Sequence, residues 1–300
     1  MQRLNYQHLY YFWQVARVGS ITKASEKLGL AQPTISGQIA IFENSIGTQL
    51  FKKSGRNIIL TDKGKLVFNY AEDIFSLGQQ LTHALTGQKT ERTKRITIGV
   101  LKSIDELIIS KIIAPLCNEK TNIKLITIDE KKELISSNML INGFDFILSD
   151  IQPNISDRNK IYSTTLGISG LSIYATEELT RQYSEHTPWS LRTAPFILPS
   201  FNTHTRRLIN NWLEEKSLVP TLVAEIDDSS LTKSLASVGL GMIFSPTSIK
   251  KEISKQYKLT SLYDTSELIN TYYLLHPQKK IESPIIQELI NKSNSFLNNF

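Results

Sequence analysis

The chain has 300 residues, 40% hydrophobic and 21% charged, with 34 Lys+Arg against 28 Asp+Glu and a net charge of +6. That length favours two or three separately cored units, and that composition lies in the ordinary globular range and argues against persistent disorder. A single cysteine, Cys117, excludes an internal disulfide and any multi-cysteine metal site, and is expected to be a small buried hydrophobe.

No run approaches the roughly 20 apolar residues of a membrane helix, and Met1-Gln2-Arg3-Leu4-Asn5-Tyr6 lacks the apolar segment of a signal peptide. The expectation is a cytoplasmic protein with no membrane partner. Its charge is uneven: residues 1–95 hold 13 Lys+Arg and 6 Asp+Glu, or +7, which leaves −1 for the rest. A local basic excess makes a field for phosphates, although a merely solvated face has the same composition.

In chain order, Tyr6, Leu9, Tyr10, Trp13 and Ala16 recur at helical spacing behind a capping Asn5, and Gly19 ends that helix. Ser20 caps a second helix with Ile21, Ala24 and Leu28 inward, and Gly29 supplies the turn. A third helix starts near Pro33 with Ile35, Ile39, Phe42 and Ile46 inside. Gln32, Thr34, Ser36 and Gln38 are expected together on its polar face, where amides and hydroxyls can read base edges, as any solvated helix face also could. Leu50 to Leu60 then reads as two short strands around Ser54-Gly55, with Lys52, Lys53 and Arg56 at a tip suited to phosphates.

These segments resemble the LysR-type transcriptional regulators. The resemblance rests on Gly19-Ser20-Ile21-Thr22-Lys23-Ala24, Ala31-Gln32-Pro33-Thr34-Ile35-Ser36, Leu50-Phe51-Lys52-Lys53-Ser54-Gly55-Arg56 and Leu60-Thr61-Asp62-Lys63-Gly64. It departs at Gly37 and Ala40, where the family usually carries basic residues. Tyr10-Tyr11-Phe12-Trp13 and Ser36-Gly37-Gln38 are similar to the NhaR branch, activators of sodium/proton antiporter genes. The resemblance implies double-stranded operator DNA as partner, contacted by Ser20, Thr22, Lys23, Gln32, Pro33, Thr34, Ser36, Gln38, Lys52, Lys53 and Arg56. It also implies a second copy of the chain, as dimer or tetramer, and RNA polymerase if the protein is an activator.

The implied fold class is α/β overall: an N-terminal all-α winged helix-turn-helix at 1–64, a linker or dimerisation helix at 62–90, and a two-lobed α/β effector domain, periplasmic-binding-protein-like, at 95–300. Lobe I is expected at about 95–165 and 266–300, and lobe II at about 166–265. In the linker helix, capped by Thr61, the residues Leu66, Tyr70, Ile74, Leu77, Leu81 and Leu85 form a near-heptad stripe that pairs with a twin or packs on its own domain. Thr86 to Arg95 reads as the hinge.

Beyond it, strand patterns at Ile96–Val100, Ile123–Ile128 and Phe144–Leu148 alternate with helical ones, which indicates parallel α/β layers. A second set follows at Leu171–Ala175, Pro195–Leu198, Leu222–Ile226 and Met242–Phe244, with helices at Thr203–Glu215 and after Asp228; Tyr272–Leu275 and a helix after Ser283 return to lobe I. Ligands of such domains sit beyond the carboxyl ends of strands. This nominates Lys102, Ser103, Asp150, Ser200, Asn202 and Thr203 as effector-binding residues, each also readable as a cap or turn.

No cofactor is expected and the effector stays open, with sodium ion implied through the branch. Glu225, Asp227 and Asp228 are the densest acidic group nearby, although Asp228 is also a helix cap. An enzyme is disfavoured by the lack of a zinc-protease, phosphate-loop or Gly-x-Ser-x-Gly motif, and a solute-binding protein by the DNA module at its start.

Overall fold

The computed structural model describes residues 4–54, 57–86, 94–117, 122–135, 139, 144–153, 161–185, 188–277 and 283–298. The chain forms two compact units, Met1–Thr93 with Ser137–Phe144, and Lys94–Ser136 with Asp145–Phe300.

The first unit runs α1 (Tyr6–Val18), α2 (Ile21–Leu28), α3 (Gln32–Ile46), the antiparallel hairpin β1 (Phe51–Ser54) and β2 (Asn57–Leu60), and the long α4 (Asp62–Leu85). Asn5 Oδ1 accepts from the N–H groups of Gln7 and His8, and Ser20 caps α2 through the N–H of Lys23. Gly29, at φ 65°, makes the left-handed turn that sends the chain into α3. Leu9, Phe12, Trp13, Phe42, Leu50 and Ala71 form one buried cluster, and Val15, Ala24, Ile35 and Ile39 a second. The buried stripe of α1 is centred between Phe12 and Trp13, so Tyr6, expected inside, falls at its edge and is 60% exposed.

Two contacts tie the hairpin to the helices. Glu43 Oε1 accepts from the backbone N–H of Leu50 (2.6 Å) and Phe51 (3.1 Å), which fixes the start of β1 against α3. At the other end Thr61 caps α4 by accepting from Gly64 N at 2.9 Å, while its own hydroxyl donates to Gln49 O at 2.8 Å. The first turn of α4 therefore lies on the backbone of Leu50. A Cβ at Gly64 would stand 2.0 Å from Leu50 O, so only glycine passes there.

The second unit holds a sheet of order β4-β3-β5-β10-β6-β9, where β3 is Lys94–Leu101, β4 Ile123–Glu130, β5 Phe146–Ser149, β6 Tyr162–Ala175, β9 Ile243–Pro246 and β10 Thr260–His276. β3 pairs in parallel with β4 and β5, as the alternating pattern predicts, and β10 joins β5 antiparallel. A second, parallel sheet pairs β7 (Pro195–Leu198) with β8 (Thr221–Glu225) and touches Met242 through Phe196. The helices are α5 (Glu106–Ile113), α6 (Glu177–Tyr183), α7 (His204–Glu215), α8 (Ser229–Ser237), α9 (Lys250–Tyr257) and α10 (Pro284–Leu297).

β6 and β10 are longer than their sequence patterns, and the expected lobe boundaries at 165/166 and 265/266 fall inside them. They pair along both lobes, with a register shift between Thr265 and Ile269 opposite Leu171 and Gly170. The extra residues are held in place: Leu268 enters the lobe II core beside Trp212 and Phe244, and Glu267 accepts from Trp212 Nε1 at 2.8 Å. Cys117 corrects another expectation, since it is exposed after the 3-10 turn Ala114–Leu116, where Leu116 takes the buried position instead.

Candidate nucleic-acid interface and effector crevice

Successive residues of an α-helix turn by about 100°, so residues two apart point in nearly opposite directions around the axis. Gln32, Thr34, Ser36 and Gln38 therefore do not share a face of α3, which corrects the expectation. Thr34 and Gln38 lie on one side of the buried Ile35–Ile39–Phe42 stripe, and Gln32 and Ser36 on the other. Thr22 Oγ1 donates to Gln32 Oε1 at 3.3 Å, which joins the polar side of α2 to that second pair. Gly37 and Ala40 occupy the ridge opposite the core, where a Cβ at Gly37 would meet nothing within 4 Å. Pro33 is exposed in the first turn, as are Thr22 and Lys23 on α2, while Ser20 is spent partly on its cap.

On the hairpin, Lys52 stands opposite Ile59 and Lys53 opposite Ile58. Adjacent strand residues point to opposite faces. Both lysines are exposed, yet only one at a time can face a given phosphate row. Arg56 lies outside the described residues, as does most of the expected hinge at 86–95.

Along α4, Tyr70, Leu77 and Leu81 are 63%, 64% and 61% exposed, while Leu66 and Ile74 are half-buried. Ile74 belongs to the edge of the α1–α3–α4 core. Leu66, Tyr70 and Ile74 line an apolar groove of about 640 Å³ with Leu9, Phe42 and Ile46. The stripe thus divides: Ile74 serves the unit's own core, while Tyr70, Leu77 and Leu81 lie open to solvent.

In the second unit the six nominated residues meet. Lys102 and Ser103 follow β3, Asp150 follows β5, and Ser200, Asn202 and Thr203 lead into α7; all line one crevice of about 250 Å³. Ser103 Oγ donates to Asp150 Oδ1 at 2.7 Å. Thr203 also acts as the N-cap of α7, accepting from Arg206 N at 3.1 Å, and Lys102 lies 3.8 Å from Asp129. The crevice adds Lys131, Lys132 and His204, which the sequence reading missed. The lysines directly follow β4, so the strand-end rule that nominated Lys102 and Asp150 would have found them. Burial holds the His204 imidazole below its ordinary value, against the pull of Asp150.

A smaller pocket of about 70 Å³ adjoins it through Ser103, Thr203 and Asp227. On its wall Lys233 of α8, 1% exposed, sits 2.8 Å from Asp105, the N-cap of α5, 7% exposed. Lys233 Nζ also reaches Glu106 at 3.4 Å and donates to Ser229 O at 3.2 Å. Burial pushes the Asp105 carboxyl above its ordinary value, even though Lys233 pulls the other way.

Two of the three acidic residues at the end of β8 are engaged: Glu225 pairs with Arg206 at 2.7 Å and Asp228 accepts from Leu231 N at 2.7 Å, while Asp227 lines the crevice. Among the described residues no three His, Cys, Asp or Glu are placed to hold a metal ion, and no helix is long and apolar enough to cross a membrane.

Residues 6–65 match the family described as bacterial regulatory helix-turn-helix protein, lysR family, and residues 89–294 match the LysR substrate binding domain. Over 297 residues the chain is 25% identical to the transcriptional activator protein NhaR of Escherichia coli (strain K12), with 99% of this chain and 97% of that protein covered. ArgP from Mycobacterium tuberculosis has the same fold, with a TM-score of 0.65 at 16% identity over 99% of both chains. Full-length CbnR, solved in complex with its target DNA, gives 0.60 at 14% identity over 98% of this chain and 100% of that one.

Proposed function

The chain belongs to the LysR family of bacterial DNA-binding transcriptional regulators, and from that membership we propose how it works: twin first units grip operator DNA, and a ligand in the crevice of the second unit governs that grip. The observation that carries this reading is α3, whose Ile35–Ile39–Phe42 stripe is buried while Thr34, Gln32 and the Gly37–Ala40 ridge stay exposed on a unit of strongly basic composition. Small ridge residues let the helix backbone come close to the groove floor. Thr34 and Gln38 then read base edges on one side and Gln32 and Ser36 on the other, with Ser20, Thr22, Lys23, Lys52, Lys53 and Arg56 on phosphates.

The exposed run of Tyr70, Leu77 and Leu81 supports pairing of two α4 helices, which carries two heads to half-sites one or more helical turns apart, about 34 Å each. Likeness to an activator supports activation through RNA polymerase, in the cytoplasm. The resemblance of Tyr10–Trp13 and Ser36–Gln38 adds sodium-linked control of sodium/proton antiporter genes. A second reading, an unrelated metabolic operon that answers to a small organic molecule, is favoured by the crevice, whose mixed polar and apolar lining suits an organic ligand.

Genome-wide mapping of bound DNA with and without added sodium separates the two regulons. Gln38→Ala tests the readout: preference should flatten at one or two operator positions, by about 1–3 kcal/mol of discrimination, with binding to random DNA nearly intact. Equal loss on every sequence would refute base reading by Gln38.

A further inference from the structure

Two ligand partners of opposite character face the crevice of the second unit. Asp150, at the carboxyl end of β5, is 2% exposed, and while its Oδ1 accepts from Ser103, its Oδ2 meets no donor from any described residue. A carboxylate oxygen withdrawn from water in this way is an acceptor that a ligand N–H satisfies, most strongly when the donor is itself a cation.

Across the same space stands the N-terminus of α7, twelve residues long, with Ser200, Asn202 and Thr203 leading into it. The peptide dipoles and N–H groups of a helix start favour an anion, while the rim is mixed in charge, with Lys102, Lys131 and Lys132 set among Glu130, Glu133 and Asp227. A dicarboxylate would press one of its anionic ends against Asp150. A bare cation would satisfy Asp150 and leave the helix start unanswered.

Size narrows the choice. The crevice, about 250 Å³, is smaller than the sites of drug-sized ligands, and at about 30 Å³ for a water's share of the liquid it holds roughly eight water-sized groups. Resting on the reading that this crevice is the effector site, we propose that its ligand is a small zwitterion: an aliphatic amino acid or ω-amino acid whose ammonium donates to Asp150 and whose carboxylate lies at the start of α7, among Ser200, Asn202 and Thr203.

The test is titration calorimetry on the full chain with the twenty standard amino acids, β-alanine, γ-aminobutyrate and 5-aminopentanoate, and with sodium chloride in a separate arm. The tightest binder is then compared with its analogue lacking the amine and its analogue lacking the carboxylate. At least one zwitterion should bind with a Kd below about 1 mM, and loss of either charged group should weaken it by about tenfold or more. Asp150→Asn, checked for an unchanged circular dichroism spectrum, should bind the zwitterion and its amine-free analogue within about threefold of each other.

The proposal falls if no member of the panel binds, if the amine-free acid binds the wild type as tightly, or if sodium alone saturates the chain. Operator binding measured on the same samples keeps the two readings apart. A chain that binds DNA and an amine-free acid is still a regulator with an effector crevice, but not one that senses a zwitterion.

Discussion

Replacing Lys233 with Met removes the cation beside Asp105 and leaves the carboxylate, among the described residues, with Ser245 Oγ and the Leu107 N–H as donors. At 2.8 Å and an effective dielectric near 20, the lost attraction is about 6 kcal/mol, against a desolvation cost that is already sunk in the fold. Breaking such a pair from one side destabilises by about 3–5 kcal/mol. The loss has a ceiling, because Asp105 can fold protonated at about 1.4 kcal/mol for each pH unit above its ordinary 3.8, or about 5 kcal/mol at pH 7.5. The folded variant then holds a proton that the unfolded chain releases, so its stability falls as pH rises. At pH 5.5 the ceiling is about 2 kcal/mol. Urea unfolding of the full chain, with hydrogen exchange of α8 and β5 peptides to identify the unit that opens, should show the larger loss at pH 7.5 and the smaller at pH 5.5. The double variant Asp105→Leu, Lys233→Met should recover most of it. A loss that ignores pH, or a double variant as unstable as the single one, would refute the reasoning.

Replacing Lys52, Lys53 and Arg56 with Ala should weaken operator and random DNA alike and lower the slope of log affinity against log salt by about 0.9 for each phosphate no longer neutralised, measured by fluorescence anisotropy. An unchanged slope removes the hairpin from the interface. Glu at both Leu77 and Leu81 should dissociate the dimer in sedimentation and harm palindrome binding more than half-site binding, since avidity needs two linked heads. Gly64→Ala forces the Leu50 carbonyl aside and should destabilise the first unit by about 1–3 kcal/mol in thermal unfolding, with the second unit untouched.

Much of this was legible in the sequence because local chemistry settles it. Asn5, Ser20, Thr61, Thr203 and Asp228 all cap the helices that follow them. The period of Ile35, Ile39 and Phe42 and the strand-end rule placed the core of α3 and the crevice for the same reason. What escaped depends on distance. Lys233 is an unremarkable lysine in an amphipathic helix until the fold brings it to Asp105, 128 positions away. Gly64 looks permissive until α4 lies on Leu50, and nothing in Glu43 announces that it will hold the first residues of the hairpin. The polar face of α3 failed for a simpler reason, since spacing by two is the period of a strand.

The position of β10 has a consequence for how the chain is made. It begins at residue 260 and inserts between β5 and β6, in the middle of a six-stranded sheet. During synthesis, at roughly 5–20 residues per second, β3, β4 and β5 wait on the ribosome's schedule for a neighbour that begins only at Thr260, more than a hundred residues after β5. Until then β5 and β6 each show an open edge, the kind of surface that pairs with other chains. A stop codon between the end of β9 and residue 260 therefore leaves a sheet split down its centre, and such fragments should be found in inclusion bodies or cleared by proteases.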